Sequence, residues 1–420
     1  MKILFLNPPM HGEKWYGIRS GCRWSFISQG TIQEKRERLK QGKDFNYATY
    51  PFFLSFACAI LNKQGLDAKV YDALALCHTY VEFYARVKAE APDKVVVEPC
   101  IPSFEQDIII LQNLKEMGYQ TVICGPTVKH KLAELKQYKF IDEIWEGNYV
   151  QTLAGADYPN NLPMPYRDDE TIYCYNDYTQ VPQLIKKPQL SVWSSFGCPY
   201  NCNFCLWRHT MTFGKYKPRP VSAVRDEIKY CVDRWKFQSV LFDDDTFNVG
   251  DKRTKEVARM MKSDIKLPWM AMVRADTCSI DTFKVMKDCG CTTLKVGVET
   301  FSPELLKKIN KGLEARELQE RILQLVDLGY NVYLSAMCYI PGETPEDREL
   351  TKQILRELYS CGCRWQYPHC LPLAGTPSYD DFVTFQKKQY GDLIEDFEYG
   401  KYYDNPELQK RIEEFSKNVQ

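Results

Sequence analysis

Short apolar runs, each long enough for one strand, alternate along most of the chain with stretches patterned for amphipathic helices. That alternation constrains the fold more than any single residue does. Over residues 1–150 the runs are KILFLN, DAKVYD, DKVVVEP, YQTVIC and IDEIWEG, with helical patterns between them. Strands separated by helices must cross over and pair in parallel, with helices covering the sheet. Residues 1–150 are therefore predicted to form a doubly wound, Rossmann-like α/β domain. Residues 11–49, with WYGIRSGCRWSF and EKRERLKQGKD, form a long insertion after the first strand. Insertions at strand C-terminal ends of such sheets often carry function.

Residues 151–189 are rich in Pro, Asn and Tyr, lack periodicity, and read as a linker. The rhythm then resumes over residues 190–380, with strands at LSVWSSF, SVLFDDD, WMAMVRA, TTLKVGVE, NVYLSAMCYI and CRWQYPHCL. Six strand and helix units are fewer than the eight of a closed barrel, which predicts a partial, open (β/α)6 barrel. In β/α barrels the chemistry sits at the C-terminal ends of the strands. Three cysteines follow the first strand here; Asp243–Asp245, Arg274, Glu299 and Pro341–Thr344 follow others. Residues 381–420 read as a C-terminal helical extension, its Leu408, Ile412 and Phe415 expected to dock onto the barrel.

At 420 residues and 44% hydrophobic, the chain can bury more than one core. Basic and acidic residues balance at 55 each, and no Lys/Arg block is dense enough to track a phosphate backbone, so nucleic acid is not a favoured partner. The opening MKILFLNPPM is too short and too soon broken by proline for a signal or membrane span. No transmembrane segment and a cytoplasmic location are expected. In a reducing compartment an odd, scattered set of 17 cysteines is read as buried thiols and ligands rather than a disulfide framework.

The cysteines after the first barrel strand, Cys198, Cys202 and Cys205, are spaced C-x-x-x-C-x-x-C. Structural zinc wants four ligands, usually as two pairs, and no second close pair is evident; Cys361 and Cys363, or His209, are the residues available to complete one. A ferredoxin-type run needs four cysteines for its cubane, and this run stops at three. Three thiolates leave one iron open to a ligand, which is a catalytic rather than purely electron-carrying arrangement. Three buried thiols without a metal fit poorly with a polar loop holding Pro199, Asn201 and Asn203.

This spacing, with aromatic Phe204 before the third cysteine and a position after the first strand of a partial barrel, resembles the signature of the radical S-adenosylmethionine (radical SAM) superfamily. Segments 216–230, 242–247, 296–300, 339–347 and 371–379 are similar to family segments in the same order. The resemblance implies that Cys198, Cys202 and Cys205 hold a [4Fe-4S] cluster whose free iron chelates S-adenosylmethionine, an electron splitting the sulfonium to give a 5′-deoxyadenosyl radical. It places Phe204 beside the adenine. Glu299, in a Gly-x-Glu, is the candidate for the ribose hydroxyls. Asp244 or Asp245 is the candidate for the ammonium group, with helix capping an equal alternative for the aspartates. Arg274 and Asp276 are read as a pair with each other and not as site residues.

The N-terminal domain resembles the cobalamin-binding domain fused to many radical SAM proteins, through Asn7, Pro8 and Pro9 after the first strand, YPFFLSFA opening the first helix, Gly125 and Pro126 after the fourth strand, and Glu146 and Gly147 after the fifth. The sequence is thus similar to the cobalamin-domain-containing, class B methyltransferase-like subfamily. Asp-x-His-x-x-Gly is absent, so the resemblance implies cobalamin with no histidine on its lower face. WYGIRSGCRW is similar to a segment in a subset that includes enzymes of hopanoid-type lipids; Trp15, Tyr16, Arg23 and Trp24 are read as lining corrin or substrate, or, somewhat favoured, as interdomain packing. The implied function is methylation of an unactivated carbon of a small-molecule, lipid or natural-product substrate, with an external electron donor such as flavodoxin or ferredoxin. Rearrangement or ring formation with the same cofactors is the alternative, and a non-catalytic metal-binding protein a distant one.

Overall fold

The computed structural model describes residues 1–13, 16–21, 23–27, 30–41, 49–175, 186–394 and 405–418. The chain forms two compact units, one built mainly from Met1–Gln180 and the other mainly from residues 181–420. Strands of the first are β1 (Lys2–Asn7), β2 (Tyr16–Ser20), β3 (Arg23–Ile27), β4 (Asp67–Asp72), β5 (Lys94–Val97), β6 (Gln120–Ile123) and β7 (Glu143–Ile144). Five of them make a parallel sheet in the order β4-β1-β5-β6-β7, the predicted doubly wound α/β sheet. Chain order reverses between β1 and β5, which is where open α/β sheets place their ligand crevice. Register aligns Asn7 with Asp72 and Leu6 with Val97, so the C-terminal edge is one continuous rim.

The sequence makes this sheet for legible reasons. β1 and β5 are buried on both faces and are accordingly apolar throughout their centres. Thr79 caps the helix Tyr80–Glu90 and Glu82 reaches back to it, a complete capping box. Helix Phe52–Lys63 is buried over most of its circumference, from Phe52 to Leu61. The long insertion contributes the antiparallel hairpin β2–β3. Trp15 lies outside the described residues. Arg23 and Trp24 lie on β3, with their side chains outside the description, and Tyr16 is fully buried with Ile32 and Cys77.

The second unit holds β8 (Gln189–Val192), β9 (Ser195–Phe196), β10 (Lys217–Pro218), β11 (Ser239–Phe242), β12 (Trp269–Val273), β13 (Cys291–Glu299), β14 (Asn331–Ala336) and β15 (Arg364–Gln366). Six form an open parallel sheet in sequential order, β15-β14-β13-β12-β11-β8, as expected of a partial barrel. Helix Pro345–Ser360 starts with Pro345 in its first turn and a capping box between Thr344 and Asp347, so the end of the PGET segment is helix punctuation. Leu408, Ile412 and Phe415 are buried, and Phe415 packs on Phe382 and Phe385, so the tail helix Pro406–Asn418 docks within the barrel unit. Arg219 and Glu227 form an ion pair at 2.8 Å with both side chains 1% exposed. Losing either partner of such a pair costs about 3–5 kcal/mol. Among the described residues no helix is long and apolar enough to cross a membrane, and the described cysteines are free thiols.

Candidate functional site

The three thiols sit on the loop that leaves β8 and β9. Gly197, just before Cys198, has φ +78°, and a Cβ there would meet the Lys215 carbonyl oxygen at 2.2 Å and Thr212 Cβ at 2.9 Å. Glycine is therefore required for the chain to turn into the cysteine loop. Asn203 fixes the middle of the loop: its N–H donates to Ile309 O at 3.2 Å and its Nδ2 to Lys308 O at 3.0 Å. Asn310 answers by donating to Asn201 O at 2.9 Å. Cys198 Sγ lies 3.3 Å from Thr246 Oγ1. Burial raises all three thiols, Cys205 up to about 12, and each of Cys198 and Cys202 further raises Cys205 as a neighbouring charge. Burial thus disfavours the thiolate form at all three positions.

Among the described residues no three His, Cys, Asp or Glu side chains are grouped to hold one metal ion. Cubane ligation differs from that arrangement, since each thiolate bonds a different iron and the sulfurs stand apart. An all-sulfur donor set on one anchored loop suits a cluster, because thiolates are the usual protein ligands of iron–sulfur centres.

The strand-end residues divide by role. Phe204 packs beside Leu305, Ile309, Met337, Ile340 and Cys370, an apolar patch around the ends of β13 and β14. Glu299 ends β13 with φ +62°, uncommon for a non-glycine residue, and accepts from Lys311 Nζ at 2.7 Å. A Cβ on Gly297 would come within 2.9 Å of Glu299 Oε1 and 3.2 Å of Lys311 Nζ, so the Gly-x-Glu makes room for its own ion pair. The bonds from Asn203 to Lys308 O and Ile309 O and from Asn310 to Asn201 O put the turn that carries Lys311 beside the thiol loop. Asp244 is fully buried and accepts from Ser194 N–H at 3.1 Å, Ser194 Oγ at 2.8 Å and Ser195 Oγ at 2.5 Å, bracing the exit from β8. Burial raises its carboxyl despite those donors. Asp245 is the aspartate whose charge reaches Cys198 and Cys205. Arg274 and Asp276 do pair, by two bonds at 3.0 and 2.9 Å, with Arg274 also 3.9 Å over the Tyr200 ring.

In the first unit, Asn7 and Pro8 meet the insertion hairpin. Asn7 Nδ2 donates to Asp72 Oδ1 at 3.0 Å and to Arg19 O at 3.2 Å, and Arg19 donates to Pro8 O. Arg19 is 2% exposed, ion-paired to Asp107, and donates to Ser103 Oγ at 2.6 Å. Gly125 and Pro126 begin helix Pro126–Leu135 after β6. The direction a Gly125 Cβ would take is filled by Glu98, at 2.5 Å, so this glycine accommodates a buried carboxylate. Glu98 accepts from Gly21 N–H and Tyr149 OH, both at 2.6 Å, and burial raises its carboxyl. Gly147 has φ +63° and Glu146 is exposed, both directly after β7.

Sequence reasoning missed Lys311, Asn310, Thr246 and Glu98. Asn310, with φ +54°, and Gly312 bracket Lys311 in a turn that the string Asn-Lys-Gly signals. Glu98 stands as the one carboxylate closing an all-apolar strand run, VVVE.

Residues 194–355 match the family model described as the radical SAM superfamily. An uncharacterized methyltransferase of Pyrococcus horikoshii is 22% identical over 339 residues, covering 73% of each chain. A tRNA-2-methylthio-N(6)-dimethylallyladenosine synthase of Campylobacter jejuni is 22% identical over 264 residues, covering 59% of each. OxsB, a cobalamin-dependent S-adenosylmethionine radical enzyme solved with aqua-cobalamin and S-adenosylmethionine bound, superposes with a TM-score of 0.65 at 12% identity over 94% of this chain and 62% of its own. TsrM, a radical S-adenosylmethionine methyltransferase from Kitasatospora setae solved with tryptophan and an S-adenosylmethionine analogue, gives 0.65 at 15% identity over 92% of this chain and 76% of its own. The chain spans under two thirds of the length of OxsB and of the Campylobacter enzyme.

Proposed function

Because the barrel unit carries a radical SAM domain over residues 194–355 in a chain with the fold of cobalamin-dependent radical SAM enzymes, we propose that the protein is a cobalamin-dependent radical SAM enzyme that methylates an unactivated carbon of a small-molecule, lipid or natural-product substrate. The observation that carries it is the anchored three-thiol loop at the strand ends, beside the Glu299–Lys311 pair. Cys198, Cys202 and Cys205 would hold a [4Fe-4S] cluster, and the rim of Asn7, Pro8, Gly125, Pro126, Glu146 and Gly147 would face cobalamin. When bound, the cluster supplies the electron for splitting S-adenosylmethionine and the corrin supplies the methyl group.

The chain's own residues do the rest. Glu299, kept in place by Lys311, accepts hydrogen bonds from the ribose hydroxyls, and Phe204 offers a face to the adenine. Asp244 braces the loop and touches no ligand in this reading; Asp245, beside the thiols, is the carboxylate for the ammonium group. Glu98 and Arg19 spread buried charge beneath the first unit's rim and hold the insertion hairpin there.

The test is anaerobic turnover of reconstituted protein with reductant, cobalamin and S-adenosylmethionine against extract metabolites. Methyl transfer gives both 5′-deoxyadenosine and S-adenosylhomocysteine. 5′-Deoxyadenosine alone assigns a rearrangement or ring closure. No cleavage at all, with about four irons per chain present, rejects the radical reading.

A further inference from the structure

The chain has 55 acidic residues, yet none lies between Asp177 and Asp226, the stretch that contains all three loop cysteines. Within it, residues 212–217 form a surface loop fastened to the thiol loop at several points. Thr212 donates twice to Trp207 O, at 3.2 Å from N–H and 3.3 Å from Oγ1. Lys215 lays its carbonyl against Gly197, and Lys217 ladders with Phe196, two residues before Cys198. Arg208 donates to Asn201 Oδ1 at 2.7 Å and crosses Gly214 so closely that a Cβ there would fall 1.0 Å from its Nη1. Lys215 and Lys217 are exposed. Phe213 is 50% exposed at φ +48°, a backbone conformation that an aromatic residue seldom adopts.

We propose that this loop, with Phe213 at its centre and Arg208, Lys215 and Lys217 around it, is the docking face for an acidic one-electron carrier protein. The proposal rests on the cluster reading above. One electron leaves the reduced carrier and enters the cluster held by Cys198, Cys202 and Cys205; no bond or proton changes in that transfer, so the face needs charge and proximity but no acid or base. Its build suits such a partner. One exposed apolar side chain with cations close to it in the chain makes a small contact of the kind electron-transfer encounters use, and exposed lysines on a stretch without carboxylates favour a negative protein there. A nucleic acid would call for a longer basic track to neutralise successive phosphates.

The test uses the reconstituted holoenzyme and an acidic, FMN-carrying flavodoxin as probe. Lys215→Glu/Lys217→Glu and, separately, Phe213→Ser should weaken flavodoxin binding in titrations by about tenfold or more, with the charge effect fading at high salt. Iron content should stay unchanged, and S-adenosylmethionine cleavage driven by dithionite, which needs no docking, should stay within about twofold. Flavodoxin binding that ignores both variants overturns the proposal. So does equal loss of dithionite-driven and flavodoxin-driven cleavage with iron intact, and so does loss of tRNA binding with flavodoxin binding untouched. If the wild-type protein cleaves no S-adenosylmethionine with dithionite, the cluster reading fails, and the binding titration still decides the docking face.

Discussion

Single residues in the barrel unit show how tightly the thiol loop is constrained. Gly197→Ala sets a Cβ against backbone rather than against a flexible side chain, at a φ that alanine resists. The expected result is a loss of about 1–3 kcal/mol in apo stability, read by thermal melts, and a reconstituted iron content well below that of the wild type; full iron loading would show that the turn tolerates a side chain. Lys311→Met should leave Glu299, whose side chain is 13% exposed, without its cation. Breaking so buried a pair predicts a loss of about 3 kcal/mol together with a raised KM for S-adenosylmethionine, whereas Lys311→Arg should recover part of both. An unchanged KM in Lys311→Met would mean that Glu299 holds its position unaided. The cysteines were legible because their spacing is local. Lys311 was not, because its partner is at the end of a strand and its loop is tied to residues about a hundred positions earlier; no short window contains that information.

Elements were the most legible level, and their C-terminal ends the least. The central parallel strands appear where apolar runs predict them, since burial on both faces demands such runs, whereas the edge strands β7 and β15 are short and only partly buried. The sequence does not say which end residues turn inward, and several are carboxylates: Asp72, Glu98, Asp244 and Glu343 are all buried, and burial raises each of them. Asp72 is pushed up to about 6 by burial, against the lowering effect of hydrogen bonds from Ala75, Asn7 and Tyr175. The sign follows directly. A carboxyl that binds its proton more tightly in the folded than in the unfolded chain stabilises the fold fully below the unfolded pKa, near 4, and that stabilisation is lost as pH rises through about 6. The shift is worth on the order of 3 kcal/mol. Hydrogen exchange of β1 and β4 amides, corrected for intrinsic rates, should therefore show protection falling between about pH 4 and 6, and Asp72→Asn should flatten that fall. Protection that rises by the same measure through this window and flattens in Asp72→Asn would contradict the assignment.

At the scale of the molecule, the division into two units governs what happens when either site is lost. The first unit carries its own core, from Leu4 and Leu6 through Phe83, Val95 and Leu111 to Val128. Its rim is braced internally by Arg19, Asn7, Asp107 and Glu98. Nothing in that bracing draws on Cys198, Cys202 or Cys205. Effects at sites without shared partners are close to additive, so removing all three thiols should leave cobalamin binding by the first unit within about twofold of wild type while abolishing iron. The bound form should have the base-off spectrum, with no nitrogen on the lower face. His78 Nδ1 lies 2.7 Å from Tyr71 OH, and the His11 ring packs on Tyr80 at 4.7 Å. The proposed function assigns no histidine to the lower face, so His11→Ala and His130→Ala should leave both affinity and spectrum unchanged. Titration with hydroxocobalamin, followed by absorbance, reads all of these variants. Binding lost together with iron in the triple cysteine variant would show that the corrin site is completed by the barrel unit, and a base-on spectrum that either histidine substitution abolishes would assign a lower ligand that the proposed function excludes.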